Sequence, residues 1–290
     1  MNAMDIQGIL IREMPVLKKP VLIAGFGGWG NALNVATDAL DFLIRHFEAE
    51  PFARLDPDAF FRHDQSRPTV KIVDGVLEEM AWPDLTVYSL HTGVEESDLV
   101  ILKADEPSLN WYRFTDELLA LCRALSIQMV ITLGSMYDNV LHSDRIISGM
   151  ASREAMRTRL KQEGLHLISY QGPSAIHAVI QTEAARVGLE CLSLWSHCPY
   201  YLQGTSHFGL LASLCNILGK MAAFAIDTAV LEERWTALNR HIQTLIETKP
   251  ELREMINKLR KEKLRGTVSG RKATGEKEEK VINIKDFFDS

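Results

Sequence analysis

Gly25, Gly27 and Gly30, inside PVLIAGFGGWGNALNVATDAL, keep the G-x-G-x-x-G spacing that wraps a strand-to-helix turn around a pyrophosphate. That fingerprint also needs a second strand ending in Asp or Glu about 20 residues on, to hold the ribose. Glu48 and Glu50 stand at that distance, but FEAEPFARLDPDAFFRHD is too polar and proline-broken for a central strand. Trp29 is also a bulky neighbour for a group that needs close backbone approach. The turn is therefore read as a tight connection whose glycines serve backbone geometry and whose Trp29 serves packing, with Asn31 or Asn34 satisfying the first helical amides.

Other residues with chemistry sit in loops that follow apolar runs: Glu106, Trp111, Asp138, His142, Asp144, Arg145 and His197. Asp138 and His142 are four apart, close enough for two metal ligands, yet no third ligand is spaced to complete a site. Ser135 follows a glycine after a strand, but the nucleophile-elbow form G-x-S-x-G is absent. His177 and His207 open presumed helices, where capping or surface exposure is the ordinary role. Trp29, Trp82, Trp111 and Trp195 read as interior or interface anchors. Cys122, Cys191, Cys198 and Cys215 form no C-x-x-C pair and read as packed, reduced thiols.

The elements that must position these residues alternate. The runs PVLIAGF, TVKIVDG, LTVYSLH, DLVILKAD, QMVITLGS, HLISYQG and CLSLWSH suit strands covered on both faces. Helical patterns cover 31–47, 114–125, 152–163, 176–187 and 206–226. This order predicts an α/β fold with a largely parallel mixed sheet whose carboxyl-end loops gather on one edge. Between Val70 and Lys103 three strand-like runs are joined only by DG, WPD and EESD, which predicts an antiparallel section. No composition break divides 1–227. Beyond it a helical hairpin occupies 228–265, and the T-x-x-E pattern at Thr248 places the second helix's start there. Residues 266–290 read as a charged flexible linker closing on the apolar VINIKDFFDS, either folded back or docked on a partner through Ile284, Phe287 and Phe288.

Among 290 residues, 46% are hydrophobic and 24% charged, the balance of an ordinary globular protein. A net charge of −6 gives no basic surface for nucleic acid. No apolar run is long enough to cross a bilayer and the N-terminus lacks a secretory layout, so a cytoplasmic protein with no membrane partner is expected.

Taken together, GFGGWGNALNVA (25–36), Arg67-Pro68, Trp82-Pro83, DEPSLNWYRF (105–114), LGSMYDNVLHSDR (133–145), YQGPSAI (170–176) and LWSHCPYYL (194–202) resemble the PAC2 family, that of proteasome assembly chaperone 2 and its archaeal and bacterial relatives. The resemblance implies a three-layer α/β/α domain similar to the nucleoside phosphorylase and hydrolase fold, with a C-terminal helical hairpin and tail. It implies homo-oligomers, often trimers, and in eukaryotic members a role in guiding proteasome α-subunits into a ring. Relatives tend to carry a proline-histidine step between Asp138 and Arg145, where this chain has DNVLHSDR. The expected function is that of a non-catalytic, oligomeric protein-binding protein with an unidentified protein client and no cofactor or metal. The alternative is an enzyme or sensor for a nucleoside- or phosphate-type ligand. Gly27, Trp29, Asn31, Glu106, Trp111, Asp138, His142, Arg145, Gly172 and His197 are the candidate pocket or interface.

Overall fold

The computed structural model describes residues 4–6, 8–93 and 97–264. In chain order the strands are β1 (Met4–Ile6), β2 (Ile9–Ile11), β3 (Val21–Gly27), β4 (Glu50–Leu55), β5 (Thr69–Val73), β6 (Val76–Ala81), β7 (Leu85–Leu90), β8 (Leu99–Asp105), β9 (Met129–Asp138), β10 (Ile147–Ala151), β11 (His166–Leu167) and β12 (Glu190–Pro199). The helices are α1 (Val35–His46), α2 (Trp111–Ala124), α3 (Glu154–Gln162), α4 (Ile176–Arg186), α5 (Phe208–Ala222), α6 (Ala229–Thr248) and α7 (Pro250–Leu264). Ile284, Phe287 and Phe288, with the rest of 266–290, lie outside the described residues, as do residues 95 and 96 of the EESD turn.

Ten strands form one mixed sheet in the order β1-β2-β4-β7-β8-β3-β9-β12-β10-β11. Its centre, β8-β3-β9-β12, is parallel. The flanking pairs from β1 to β8, and β12 with β10, are antiparallel. The apolar runs dictate this division. Along β3, Val21 and Ile23 enter one core with α1, α3, α5, α6 and α7, whereas Leu22, Ala24 and Phe26 enter the other with α2 and α4. A strand covered on both faces is the place for a parallel neighbour reached through a helix. The antiparallel section expected after Val70 is present, with β5 paired to β6 and β7 to β8, but β5, read from TVKIVDG as covered on both faces, is exposed throughout and stands outside the ten-stranded sheet.

The segment that fails as a dinucleotide strand is β4, which stands three places from β3 and runs antiparallel to β2 and β7. The strand that comes next after α1 is therefore not a parallel neighbour of β3; β8 and β9 hold those places. In the C-terminal hairpin the helix break falls one residue later than the sequence pattern suggests. Thr248 closes α6, its hydroxyl donating to the Thr244 carbonyl at 2.8 Å, rather than capping α7. Lys249 is extended because it precedes Pro250, which opens α7. Among the described residues no helix is long and apolar enough to cross a membrane.

Candidate functional site

Gly27, Asp105, Asp138 and Pro199 end four neighbouring parallel strands, so the loops after them leave one edge of the sheet. The glycine turn is stitched into this edge rather than open to a ligand. The Glu106 amide donates to the Gly27 carbonyl at 2.9 Å, the Ser135 amide to Gly30 at 2.8 Å, and the Ser135 hydroxyl to Ala32 at 2.8 Å. The Asn31 carboxamide oxygen accepts from the Ala36 and Thr37 amides at 3.1 and 3.4 Å, and its nitrogen donates to the Thr37 hydroxyl. Asn31 thus occupies amides at the start of α1 that a phosphate would need. Asn34 makes no such bond.

The fingerprint glycines serve close approach, not backbone geometry. A Cβ at Gly25 would sit 2.9 Å from Leu40 of α1, one at Gly27 2.5 Å from the Asp105 carboxylate, and one at Gly30 3.3 Å from the Trp195 ring. Positive φ belongs to Gly28, at +107°. That reversal turns Trp29 outward, and it is 63% exposed, the opposite of a packing residue.

The remaining candidates separate into three groups. Glu106 accepts the Ile176 amide at 2.9 Å and so caps α4; burial raises its carboxyl pKa, and the amide bond opposes the rise. Asp138, at the end of β9, accepts from His197 Nδ1 at 2.8 Å, while His197 Nε2 meets the Ser148 hydroxyl of β10 at 2.7 Å. The His197 bond, more than the Asn139 amide, holds the Asp138 carboxyl below its usual pKa despite burial. His142 and Arg145 face the C-terminal hairpin instead. His142 Nδ1 lies 2.7 Å from the Tyr201 hydroxyl, which also accepts the His142 amide, and Gln243 of α6 lies 3.3 Å from Nε2. Arg145 makes a two-pronged pair with Glu232 at 2.6 and 2.8 Å and lies over the Trp235 ring. Asp144 pairs with Lys263 of α7 at 2.6 Å.

Asp138 and His142 therefore point to different partners and do not form a ligand pair. Gly172 lies under the Tyr170 hydroxyl, which donates to Pro173. The half-buried Trp111 donates its indole N–H to Pro107.

Acid, imidazole and hydroxyl in Asp138-His197-Ser148 follow the order of a hydrolytic triad, but the exposure is inverted. Ser148 is 3% exposed, whereas the Asp138 side chain is 40% exposed. A nucleophile must be the reachable end of such a chain. Here it is the innermost, and the three side chains tie β9, β12 and β10 together. His177 and His207 are buried rather than on the surface: His177 Nε2 donates to the Leu133 carbonyl and His207 Nδ1 caps Leu210. All four cysteines are buried free thiols, and burial pushes Cys122, Cys198 and Cys215 up to about 12.

Beside polar side chains such as Asp138, the edge turns aromatic rings to solvent: Trp29, Tyr112 and Tyr200 are all exposed, Tyr112 by 66%. Tyr170 is also exposed but follows β11, which runs against the central strands. Of these, Trp29 is a pocket or interface candidate in the sequence, whereas the tyrosines carry no such signal, because exposure depends on which way each loop turns.

The family model for the PAC2 family matches residues 22–246. The chain belongs to the PAC2 family. It is similar to the crystal structure of a PAC2 family protein from Streptomyces avermitilis, with 28% identity and a TM-score of 0.72 over 82% of this chain and 99% of that one. A proteasome-assembly chaperone homologue of Mycobacterium tuberculosis shows 28% identity and a TM-score of 0.74 over 81% of this chain and 99% of that one. A Mycobacterium tuberculosis protein of unknown function shares the fold, with a TM-score of 0.81 at 19% identity over 92% of each chain. No curated protein matches the chain. The glycine turn, the Glu106 cap, the Asp138-His197-Ser148 chain and the Arg145-Glu232 dock all fall within the span that the PAC2 model covers.

Proposed function

We propose that this PAC2 protein is a non-catalytic, homo-oligomeric assembly chaperone of the cytoplasm, whose client docks on the carboxyl edge of the parallel strands. One observation carries the reading: Glu106, Asp138, His142 and His197 of that edge are bonded to the chain itself, while Trp29, Tyr112 and Tyr200 face outward. Exposed aromatics on a rigid frame are the usual anchors of a protein interface, and little conformational freedom is lost when they dock. The Mycobacterium tuberculosis relative is described as a proteasome-assembly chaperone homologue, which supports proteasome subunits as the client class. Four buried thiols are in keeping with a reducing compartment.

The test is co-expression of the full chain with the proteasome α-subunits of its source organism. The wild type is expected to co-elute with them, and Trp29→Ala with Tyr112→Ala to weaken binding at least tenfold without loss of fold. Failure to co-elute, together with a ligand-dependent rise in Tm for nucleosides or phosphate, would overturn the proposal in favour of a small-molecule site.

A further inference from the structure

β5 and β6 form a two-stranded sheet of their own, outside the ten-stranded one. Asp74 and Gly75, at φ +49° and +79°, make the tight turn between them, and Lys71 bridges to Glu78 at 2.6 Å. All eleven strand residues are exposed. An isolated hairpin is marginal in water and needs a surface to pack against.

Its composition says what kind of surface. Val70 stands opposite Met80 and Ile72 opposite Leu77, so these four share one face; Val73 and Val76 pair on the other. All six are exposed, Val76 by 64%. At the root, exposed Trp82 meets the His63 ring edge-on at 5.0 Å, and His63 bonds to Asp58. The neighbouring Phe60 carbonyl accepts the amides of Ser108 and Leu109, which ties the root to the loop before α2, where Leu109 is also exposed, as is Tyr112 in the first turn of α2. An apolar ribbon with an aromatic root, open on both faces, is suited to lying between two bodies rather than on one.

We propose that the β5–β6 hairpin is a self-association arm that packs against the body of a second copy of this chain. The proposal rests on the homo-oligomeric part of the reading above and names its interface. Area argues for a second copy over a foreign partner. Strands of five and six residues at ~3.3 Å per residue, ~4.8 Å apart, present faces of about 20 by 10 Å, or about 400 Å² for both. A stable interface needs about 800 Å² from each side. One arm buried in a foreign partner supplies about half of that. In a symmetric assembly each chain both gives an arm and receives one, which doubles the area buried per chain. Charge argues for the neighbour's body over its arm. With Lys71 paired to Glu78, the hairpin is left with Asp74 and Glu79, and two arms laid face to face would bring like charges together.

The experiment is light scattering on the full chain at about 1–100 μM, for the wild type, for Ile72→Asp with Leu77→Asp, and for Val16→Asp as a charge control at an exposed site outside the arm. The arm variant is expected to be monomeric, or to associate at least tenfold more weakly, with the circular dichroism of the wild type; the control is expected to match the wild type. As a second measurement, a benzophenone side chain at position 76 of otherwise native protein is expected to crosslink one copy to another under light. An arm variant with the wild-type mass, or an oligomer without crosslinks, would overturn the arm and leave the oligomer standing. A wild type that stays monomeric throughout would overturn the oligomeric reading and the arm with it.

Discussion

Lowering the pH from 7 to 5 is expected to destabilise the fold by about 6 kcal/mol, through three histidines that are buried neutral. His177, in the first turn of α4, lies between Phe26 and Trp195, with the Leu133 carbonyl as its one hydrogen-bond partner among the described residues. His207 stacks on Trp235 at 4.6 Å and accepts the Leu210 amide at Nδ1, a bond that protonation would break. His142 sits beside Tyr201, with Arg260 opposing its charge and Asp144 favouring it. Burial is the largest cause in each case and lowers all three to about 4.

The sign follows from linkage. In the unfolded chain these groups bind protons near pH 6.5, so between about 6.5 and 4 the unfolded state binds more protons than the native state. Their stabilising effect is complete above that window and is lost as the pH falls through it. Each histidine accounts for about 2 kcal/mol between pH 7 and 5, at about 1.36 kcal/mol for every pH unit over which only the unfolded chain holds the proton. The sum is comparable to the whole stability of many domains, about 5–15 kcal/mol. Glu106 and Asp38 act the other way, since burial raises both.

Urea denaturation in steps of half a pH unit measures this directly, provided that the m-value stays constant. Near pH 5.5 about three protons should be taken up on unfolding. His207→Asn keeps an acceptor for the Leu210 amide while removing the imidazole, and should lower the uptake by about one. A total uptake below one proton for the wild type would refute the argument, because the histidines would then titrate alike in both states.

Gly28→Ala should cost about 1–3 kcal/mol in thermal or urea unfolding, because φ of +107° is strained for any residue with a Cβ. Gly134→Ala places a methyl 2.8 Å from the Trp195 ring and should cost about 1–3 kcal/mol, with a shift in tryptophan fluorescence as the ring is displaced. Arg145→Ala removes a part-exposed pair to Glu232, worth about 1 kcal/mol at most, together with the contact to Trp235. Hydrogen exchange should quicken in α6 and stay unchanged in β3. Ser148→Ala should cost about 1 kcal/mol and leave client binding unchanged, and the wild-type serine should resist a fluorophosphonate probe, as expected of a hydroxyl that is the buried end of its chain.

The strands with continuous apolar runs, β3, β8, β9 and β12, are legible in the sequence because both faces must be apolar. The flank is harder. β4 carries Glu50, Pro51 and Arg54 and reads as polar, yet Phe52 and Leu55 are buried, and an antiparallel neighbour tolerates the rest. The loop from Asp138 to Arg145 shows the limit most clearly. Its residue types are right for a pocket, but Arg145 meets Glu232, 87 positions away, and Asp138 meets His197, 59 positions away. Spacing within a loop carries no information about which distant element faces each side chain. The glycine turn was legible as a tight connection, whereas the outward turn of Trp29 depends on the φ of Gly28 and had no local signal.

A catalytic edge keeps donors and acceptors aimed at the place where a reacting group will sit. In this protein the corresponding valences close on the chain: Asn31 on α1, Glu106 on α4, Asp138 on β12 and β10 through His197, and Arg145 on α6. Each bond joins two elements, so the polar residues of the edge fix the relative positions of the strands, α1, α4 and the C-terminal hairpin. That rigidity would be wasted on a weak solvent-filled cleft, but it suits an edge whose outward side chains are aromatic, since anchors held by a stiff frame lose little freedom when a partner covers them. Under the proposed reading, the residues that look catalytic in the sequence hold the platform, and Trp29, Tyr112 and Tyr200 are what the client meets.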